Sequence, residues 1–241
     1  MKSAFSFLTV FGRASAPSPS TFVWFPLVGA VIGLGVGAIW WTSYHFWPPM
    51  VAAILTVAGD LVLTGLLHFD GLADTGDGLL APMTRVRRLE AMSDPAIGAF
   101  GLISVVAVLL LRFSALAVMR PSPLAIAGIW CASRTTMVAI TLILPYARSN
   151  GLVRAFLSSS AQPRHQRNLL LGSLIVGLVG AGVLVFLARS FRGLAALGAQ
   201  LVVSALVALL SWRRLGGYTG DVLGASGVLG ETTGLLVLAL R

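Results

Sequence analysis

The sequence predicts an all-α integral-membrane protein: a polytopic helical bundle of about seven transmembrane helices, with six to eight as the range, as one domain over residues 1–241. Three observations predict it. Of the 241 residues, 57% are hydrophobic and only 10% charged, where ordinary globular domains carry roughly 25% charged residues. Apolar runs of about 20 residues, each enough to cross a ~30 Å hydrocarbon core, recur along nearly the whole chain. Almost all Lys and Arg residues lie between those runs.

The runs fall at roughly 22–41, 49–69, 97–118, 122–145, 168–188, 193–211 and 222–240. All are expected to be helices, because backbone polar groups in lipid must be satisfied within the segment. Residues 1–21 precede the first run. MKSAFSFLTVFGRASAP has a basic start, a short apolar stretch and an A-x-A-like ASA, which imitate a secretory signal. Arg13 interrupts that pattern, so an interfacial N-terminal segment is the expectation. Glycines in VGAVIGLGVGAIWW (28–41) and GSLIVGLVGAG (172–182) suit close helix packing. Ser-Pro-rich residues 14–20 and the basic stretch 146–167 are the linker-like pieces.

Charge placement gives sides. The N-terminal segment and the loops 70–96, 146–167 and 212–221 hold eleven Lys and Arg, and the alternate set of loops with the C-terminus holds four. The richer set is expected in the cytoplasm of a cell with an inner membrane. The net charge of +9 is therefore read as a topology signal, and nucleic acid is not expected as a partner because the basic residues are not interleaved with exposed aromatics. Membrane lipid is an expected partner, and a homo-oligomer is left open. The single cysteine, Cys131, excludes an intrachain disulfide framework and a Cys-cluster metal site.

The chemistry gathers on the basic side. In HFDGLADTGDGLL (68–80), Asp74 lies about 40° round a helix from Asp70, and Asp77 about 20° short of two turns, so the three carboxylates share one face if the helix continues. Like charges so placed repel unless a cation sits among them, and oxygen-only donors favour Mg²⁺ over zinc. Gly71, Gly76 and Gly78 thin the same surface and would let a phosphate approach. RVRRLEAMSDP (85–95) adds Arg85, Arg87 and Arg88, either phosphate ligands or topology signals, beside Glu90 and Asp94.

A second acidic site opens the last run, where Asp221 follows a Gly-rich turn and Glu231 lies inside the helix. Ionisable residues within membrane helices are functional candidates. Asp60 and Arg134 share that status, although an Asp60–Arg pair could serve packing alone. His68 fits three roles: a general base, a hydrogen-bond partner of Asp70, or an interfacial histidine. From the residues alone, the expectation is a membrane enzyme using Mg²⁺ on a phosphate or diphosphate at the cytoplasmic face.

HFDGLADTGDGL resembles the H-x-DGLADT-x-DG signature of the cobalamin synthase family, the adenosylcobinamide-GDP ribazoletransferases. Further pieces agree in order: FSFLT and FPLVG (25–29) near the start, RLEAMSDPAIGAFG (88–101), the Ser133–Arg134 pair, YARSNGL (146–152), and GGYTGDVLGA (216–225) followed by Glu231. The resemblance spans nearly the whole chain. It implies Mg²⁺-dependent transfer of the adenosylcobinamide phosphoryl group from its GDP-activated form to α-ribazole or α-ribazole 5′-phosphate, with release of GMP.

The resemblance implies a site in which Asp70, Asp74, Asp77 and Asp221 hold Mg²⁺ and His68, Asp77 and Asp94 are catalytic. Arg88, Arg134, Arg148, Gly71, Gly217 and Thr219 would meet the substrates. The sequence departs from the family pattern at Ser93, Pro95 and Ala96, where a basic residue, Ser and Arg are usual, and at Val228, often Glu. DGLAD also shares its start with CDP-alcohol phosphotransferases and its D-x-x-x-D with prenyl-diphosphate sites, but neither pattern is completed. An ion-coupled transporter using Asp60, Arg134 and Glu231 at mid-membrane is the non-enzyme alternative.

Overall fold

A computed structural model of the chain describes residues 1–10, 19–148 and 163–240. Within these, the chain forms α1 (Lys2–Leu8), a 3₁₀ turn (Pro19–Trp24), α2 (Phe25–Phe46), α3 (Pro49–Leu63), α4 (Leu67–Leu80) and α5 (Arg85–Ala91). There follow α6 (Ala99–Val118), α7 (Pro123–Ile143), α8 (Pro163–Leu215) and α9 (Gly220–Leu238). Most of residues 14–20 and 146–167, including the ASA sequence and part of YARSNGL, lie outside the described residues.

Among the described residues, five helical segments are long and apolar enough to cross a membrane. They are Thr21–Phe46, Ala99–Val118, Pro123–Ile143, Arg164–Leu215 and Gly220–Leu238; α3 and α4 add a sixth if taken together as one bent pair. α7 and α9 are buried along most of their length, whereas only 28% of the apolar stretch is buried in α6 and in α8. The exposed surface carries Ile54, Ile103, Leu110, Val176, Leu187 and Val202, a density of apolar side chains suited to lipid and not to water.

α8 cannot be one straight rod. At 1.5 Å per residue its 53 residues would run about 80 Å, far beyond a bilayer. Arg189 (φ −146°, ψ 16°) and Ser190 (φ 50°, ψ −136°) break the helix, and Gly182 comes to face Leu197, with 3.9 Å from a built Cβ to Leu197 Cδ2. A straight helix would hold those two about 22 Å apart, so α8 folds back on itself. This break lies between the two apolar runs expected at 168–188 and 193–211.

The glycine expectation holds for α2 and largely fails for α8. Gly29, Gly33 and Gly37 form a seam on α2 against which α7 lies so closely that a methyl group at any of them would sit 2.6–2.7 Å from α7 backbone atoms. In 172–182, Gly172 and Gly180 face open space and only Gly177 is tightly packed, against Pro26 and Thr135. The N-terminal segment is docked: α1 packs on α2 and the 3₁₀ turn, with Ala4 and Leu8 fully buried.

The joint between α3 and α4 sets up the site. Gly65 (φ 58°) and Leu66 (φ 60°) are left-handed, and α4 leaves α3 at 90°. A bulky residue in that region costs about 1–3 kcal/mol and persists only where its surroundings impose it. Here Leu66 N–H donates to the Leu61 carbonyl at 3.0 Å, and Val10 N–H reaches over to the Leu63 carbonyl at 3.1 Å.

Four buried ionic side chains tie the bundle together. Arg112 of α6 donates to Asp60 of α3 (2.6 Å), to Glu231 of α9 (2.6 Å) and to the Val228 carbonyl (3.1 Å). Arg134 of α7 pairs with the other Glu231 oxygen, and Trp130 Nε1 donates to Asp60 at 3.1 Å. Two cations and two anions leave no net charge, which is how ionic groups are tolerated inside a membrane bundle. Arg112 also lies over the Phe69 and Trp130 rings, 5.1 and 5.3 Å from their centroids.

Candidate active site

The helix expected through the acidic stretch is continuous: α4 carries Asp70, Asp74 and Asp77 without a break. It crosses the first turn of α9 at Gly71, where a side chain would lie 2.9 Å from the Asp221 carbonyl oxygen and 3.0 Å from its Cα. That close approach puts Asp70 beside Asp221. The charges of Asp221, Asp70 and Asp77 all bear on Asp74, opposed by Arg148, and Asp70 and Arg148 both bear on Asp221.

A second crossing brings in the arginine. The chain leaving α7 pairs with the chain entering α9 through a parallel bridge between Tyr146 and Tyr218. Ala147 N–H donates to the Tyr218 carbonyl (2.8 Å) and Tyr218 N–H to the Pro145 carbonyl (2.9 Å). Arg148, two residues past Tyr146, then lies 3.0 Å from Asp221 Oδ2 and donates to the Met92 carbonyl at 2.9 Å. Burial pushes the Tyr146 phenol above its ordinary value, with Arg148 pulling the other way and Asp221 adding to the rise. Tyr218 is raised as well, first by burial and then by Tyr146. Both phenols therefore stay protonated at neutral pH.

These groups share a cavity of about 220 Å³ whose lining includes His68, Asp70, Tyr146, Arg148 and Asp221. His68 is buried, and its Nε2 has no hydrogen-bond partner among the described residues. A larger cavity of about 710 Å³ lies between α7 and the second arm of α8, lined by residues such as Ile140, Ile143, Leu201 and Trp212. No acid or base is among the described residues that line it, so the smaller one is the candidate chemical site.

Several residues expected at the site do other work. Both oxygens of Asp77 accept backbone N–H bonds, from Gly98 (2.7 Å) and Gly101 (2.9 Å). They satisfy donors at the start of α6, which has no acidic residue in its own first turn. Asp94 is exposed on a turn and accepts from Ala96 N–H at 2.9 Å, with its neighbours Ser93, Pro95 and Ala96 exposed beside it. Arg88 is buried and donates to the Gly78 and Leu79 carbonyls (2.7 and 3.1 Å), closing the end of α4.

Arg134 is wholly buried in the ionic network with Glu231 and Ser133. The glycines thin α4 for its neighbours and not for a phosphate: Gly71 faces Asp221, Gly76 faces Gly101 and Ser104, and Gly78 faces Met92. Gly217 leaves room for the Pro145 carbonyl, and Thr219 caps α9 by accepting from Val222 N–H at 3.3 Å. The Asp60–Arg134–Glu231 set proposed for a transport path is closed by Arg112 into this network, and the space beside it is only about 10 Å³. Arg112 lies inside the apolar run 97–118 and belongs to none of the motifs quoted from the sequence.

Among the described residues, no three His, Cys, Asp or Glu side chains converge so as to hold a metal ion by themselves. The oxygen-only donors Asp70, Asp74 and Asp221 nevertheless suit Mg²⁺, which is usually held by one or two carboxylates together with substrate phosphates and water.

A multi-helix membrane bundle with acids and an arginine meeting in a small cleft is the class of integral-membrane protein that the fold and the cleft define. The family follows from comparison. Residues 1–239 match the model of the cobalamin-5-phosphate synthase family, and the chain belongs to that family. Among its relatives, the adenosylcobinamide-GDP ribazoletransferase of Chlorobaculum tepidum is 35% identical over 247 residues, covering 97% of this chain and 91% of the relative. Proteins of the same name from Bradyrhizobium diazoefficiens and Desulfitobacterium hafniense are 36% and 37% identical, over 89% and 88% of this chain and 80% and 83% of theirs. No solved structure matches.

Proposed function

We propose that this chain joins adenosylcobinamide-GDP to α-ribazole or its 5′-phosphate and releases GMP, the reaction for which its relatives are named. A ribosyl hydroxyl attacks the phosphorus on the cobinamide side of the diphosphate, the bond to the GMP phosphate breaks, and the hydroxyl proton passes to a base. The observation that supports this is the meeting of Asp70, Asp221, Arg148 and His68 around one cavity.

Arg148 is suited to the diphosphate, because a guanidinium offers paired donors to phosphate oxygens. His68, which lines the cavity and whose buried Nε2 has no hydrogen-bond partner among the described residues, is the residue to accept the hydroxyl proton. Asp70 and Asp74, with Asp221, would hold Mg²⁺. Once bound, the ion would neutralise charge on the diphosphate as the leaving phosphate departs.

We further place the site at the cytoplasmic face of an inner membrane, on the charge asymmetry of the loops. Counting the folded α8 as two spans and the bent α3–α4 pair as one gives the seven-span arrangement.

The test is purified protein in liposomes with adenosylcobinamide-GDP, α-ribazole phosphate and Mg²⁺, following GMP. Absence of GMP from a well-folded preparation, or full activity in both Asp70→Asn and Asp74→Asn, overturns the proposal. Sidedness is read by placing a cysteine at Asp94, since the one native cysteine, Cys131, is buried. Labelling from the periplasmic side alone overturns the orientation.

A further inference from the structure

Part of the cavity lining is apolar, and the proposed chemistry does not use it. Besides the acids and Arg148, the cavity is lined by Phe7 of α1, Phe22 of the 3₁₀ turn, Phe25 at the start of α2, Leu67 and Met137. The three rings form one cluster: Phe25 lies 4.7 Å from Phe22 and 6.0 Å from Phe7, centroid to centroid. Phe22 and Phe25 are 3% and 1% exposed, so their orientation is held by packing. The N-terminal segment thus supplies walls to the site as well as covering the bundle.

We propose that this aromatic lining is the base subsite for the acceptor nucleoside, holding its flat apolar ring while the ribosyl hydroxyl lies among the acids. The inference rests on the reaction proposed above and names where one of its two substrates binds. Size excludes the corrinoid: about 220 Å³ is below the ~300–1,000 Å³ of sites that enclose a whole drug-sized ligand. One bicyclic ring with part of its sugar is the scale that fits.

Chemistry then separates the acceptor's base from guanine, the base of the donor's leaving nucleotide. Guanine carries a carbonyl, a ring N–H and an amino group on its edge, all of which would be stranded against phenylalanine and leucine. The dimethylbenzimidazole of α-ribazole presents two methyl groups and no donor, which suits apolar walls and offset ring packing.

The experiment uses the full chain in liposomes with Mg²⁺, as wild type, Phe7→Ala and Phe22→Leu. Acceptor KM, donor KM and kcat are measured with ribosides of dimethylbenzimidazole and of unsubstituted benzimidazole. Wild type is expected to favour the dimethyl form by roughly 10-fold or more, the scale on which a hydrophobic pocket senses a missing methyl-sized group. Each variant is expected to raise acceptor KM by about 10-fold and to flatten that preference, with donor KM within about 2-fold.

Equal use of both ribosides by wild type overturns the proposal, as does a variant that raises donor KM alone. Equilibrium binding of radiolabelled α-ribazole without donor supplies a readout independent of turnover. If wild type releases no GMP, the reaction is wrong. The binding arm then still decides the subsite: α-ribazole bound by wild type and lost in Phe7→Ala supports it, and no binding by wild type, or displacement by GMP, overturns it. Should Phe7→Ala fail to fold, Phe22→Leu and the wild-type preference carry the decision.

Discussion

Arg148 and Asp221 meet at 3.0 Å across two chain segments that have no helix in common, each side chain about a quarter exposed (26% and 22%). The Tyr146–Tyr218 bridge makes the meeting possible. Because the pair is partly solvated, it contributes little to stability, in the range of about 0–1 kcal/mol for exposed pairs. Its consequence is for binding. Arg148→Lys keeps the charge and loses the planar fork, so GMP release should fall by roughly 10²-fold with Tm nearly unchanged. Unchanged turnover would remove Arg148 from the diphosphate site.

Asp74 lies under the influence of Asp70, Asp77 and Asp221 together. Asp74→Asn would remove a proposed cation ligand and also relieve repulsion, so the protein should be as stable as wild type or slightly more so. Turnover should need far more Mg²⁺ and fall by roughly 10²-fold or more at a fixed concentration. A variant with the wild-type Mg²⁺ response would exclude Asp74 as a ligand.

Gly71 is where α4 and α9 touch. Any side chain there must push the Asp221 backbone, 2.9–3.0 Å from a built Cβ, and so moves Asp70 away from Asp221. Gly71→Val should abolish GMP release. Gly71→Ala should retain a small fraction of it, with the loss of turnover exceeding the loss of Tm, since a bundle can absorb overpacking of about 1–3 kcal/mol.

The membrane class and the helix segments were legible because lipid demands long apolar runs, and that demand is written residue by residue. The α2 glycine seam was legible for the same reason. The right-angle bend at Gly65–Leu66 was not, because a Gly-Leu pair inside an apolar run carries no turn signature. Asp70, Asp221 and Arg148 were found by charge and resemblance, and the structure brings them together. Asp77, Asp94, Arg88 and Arg134 were found by the same signals; Asp77 stays near Asp74 but accepts from the start of α6, and the other three do not line the cavity. Charge spacing along one helix does not show which partner helix claims each side chain. The aromatic lining of the cavity was invisible, because Phe7, Phe22 and Phe25 look like ordinary membrane residues until α1 folds over them.

Asp77 should behave as an anchor of α6. Asp77→Ala strands the N–H groups of Gly98 and Gly101, at about 1–3 kcal/mol for each donor left without a partner. Tm in detergent should drop accordingly, while the Mg²⁺ concentration for half-maximal GMP release in the folded fraction stays at the wild-type value. A large rise in that concentration would return Asp77 to the metal site.

Glu231 is the residue on which the buried network turns, because each of its oxygens takes a different arginine, Arg112 and Arg134. Glu231→Gln leaves two arginines and one carboxylate in a place with almost no water, a net buried charge where wild type has none. Breaking a buried pair in this way costs about 3–5 kcal/mol, and the protein should lose most of its yield of folded, detergent-stable bundle. The proposed site lies elsewhere, around Asp70 and Asp221, so the small folded fraction should keep near-normal KM for both substrates. Pairing Glu231→Gln with Arg112→Met removes one cation as well and should recover part of the Tm loss. A Glu231→Gln protein of wild-type stability but without activity would reverse this assignment and make Glu231 part of the chemistry.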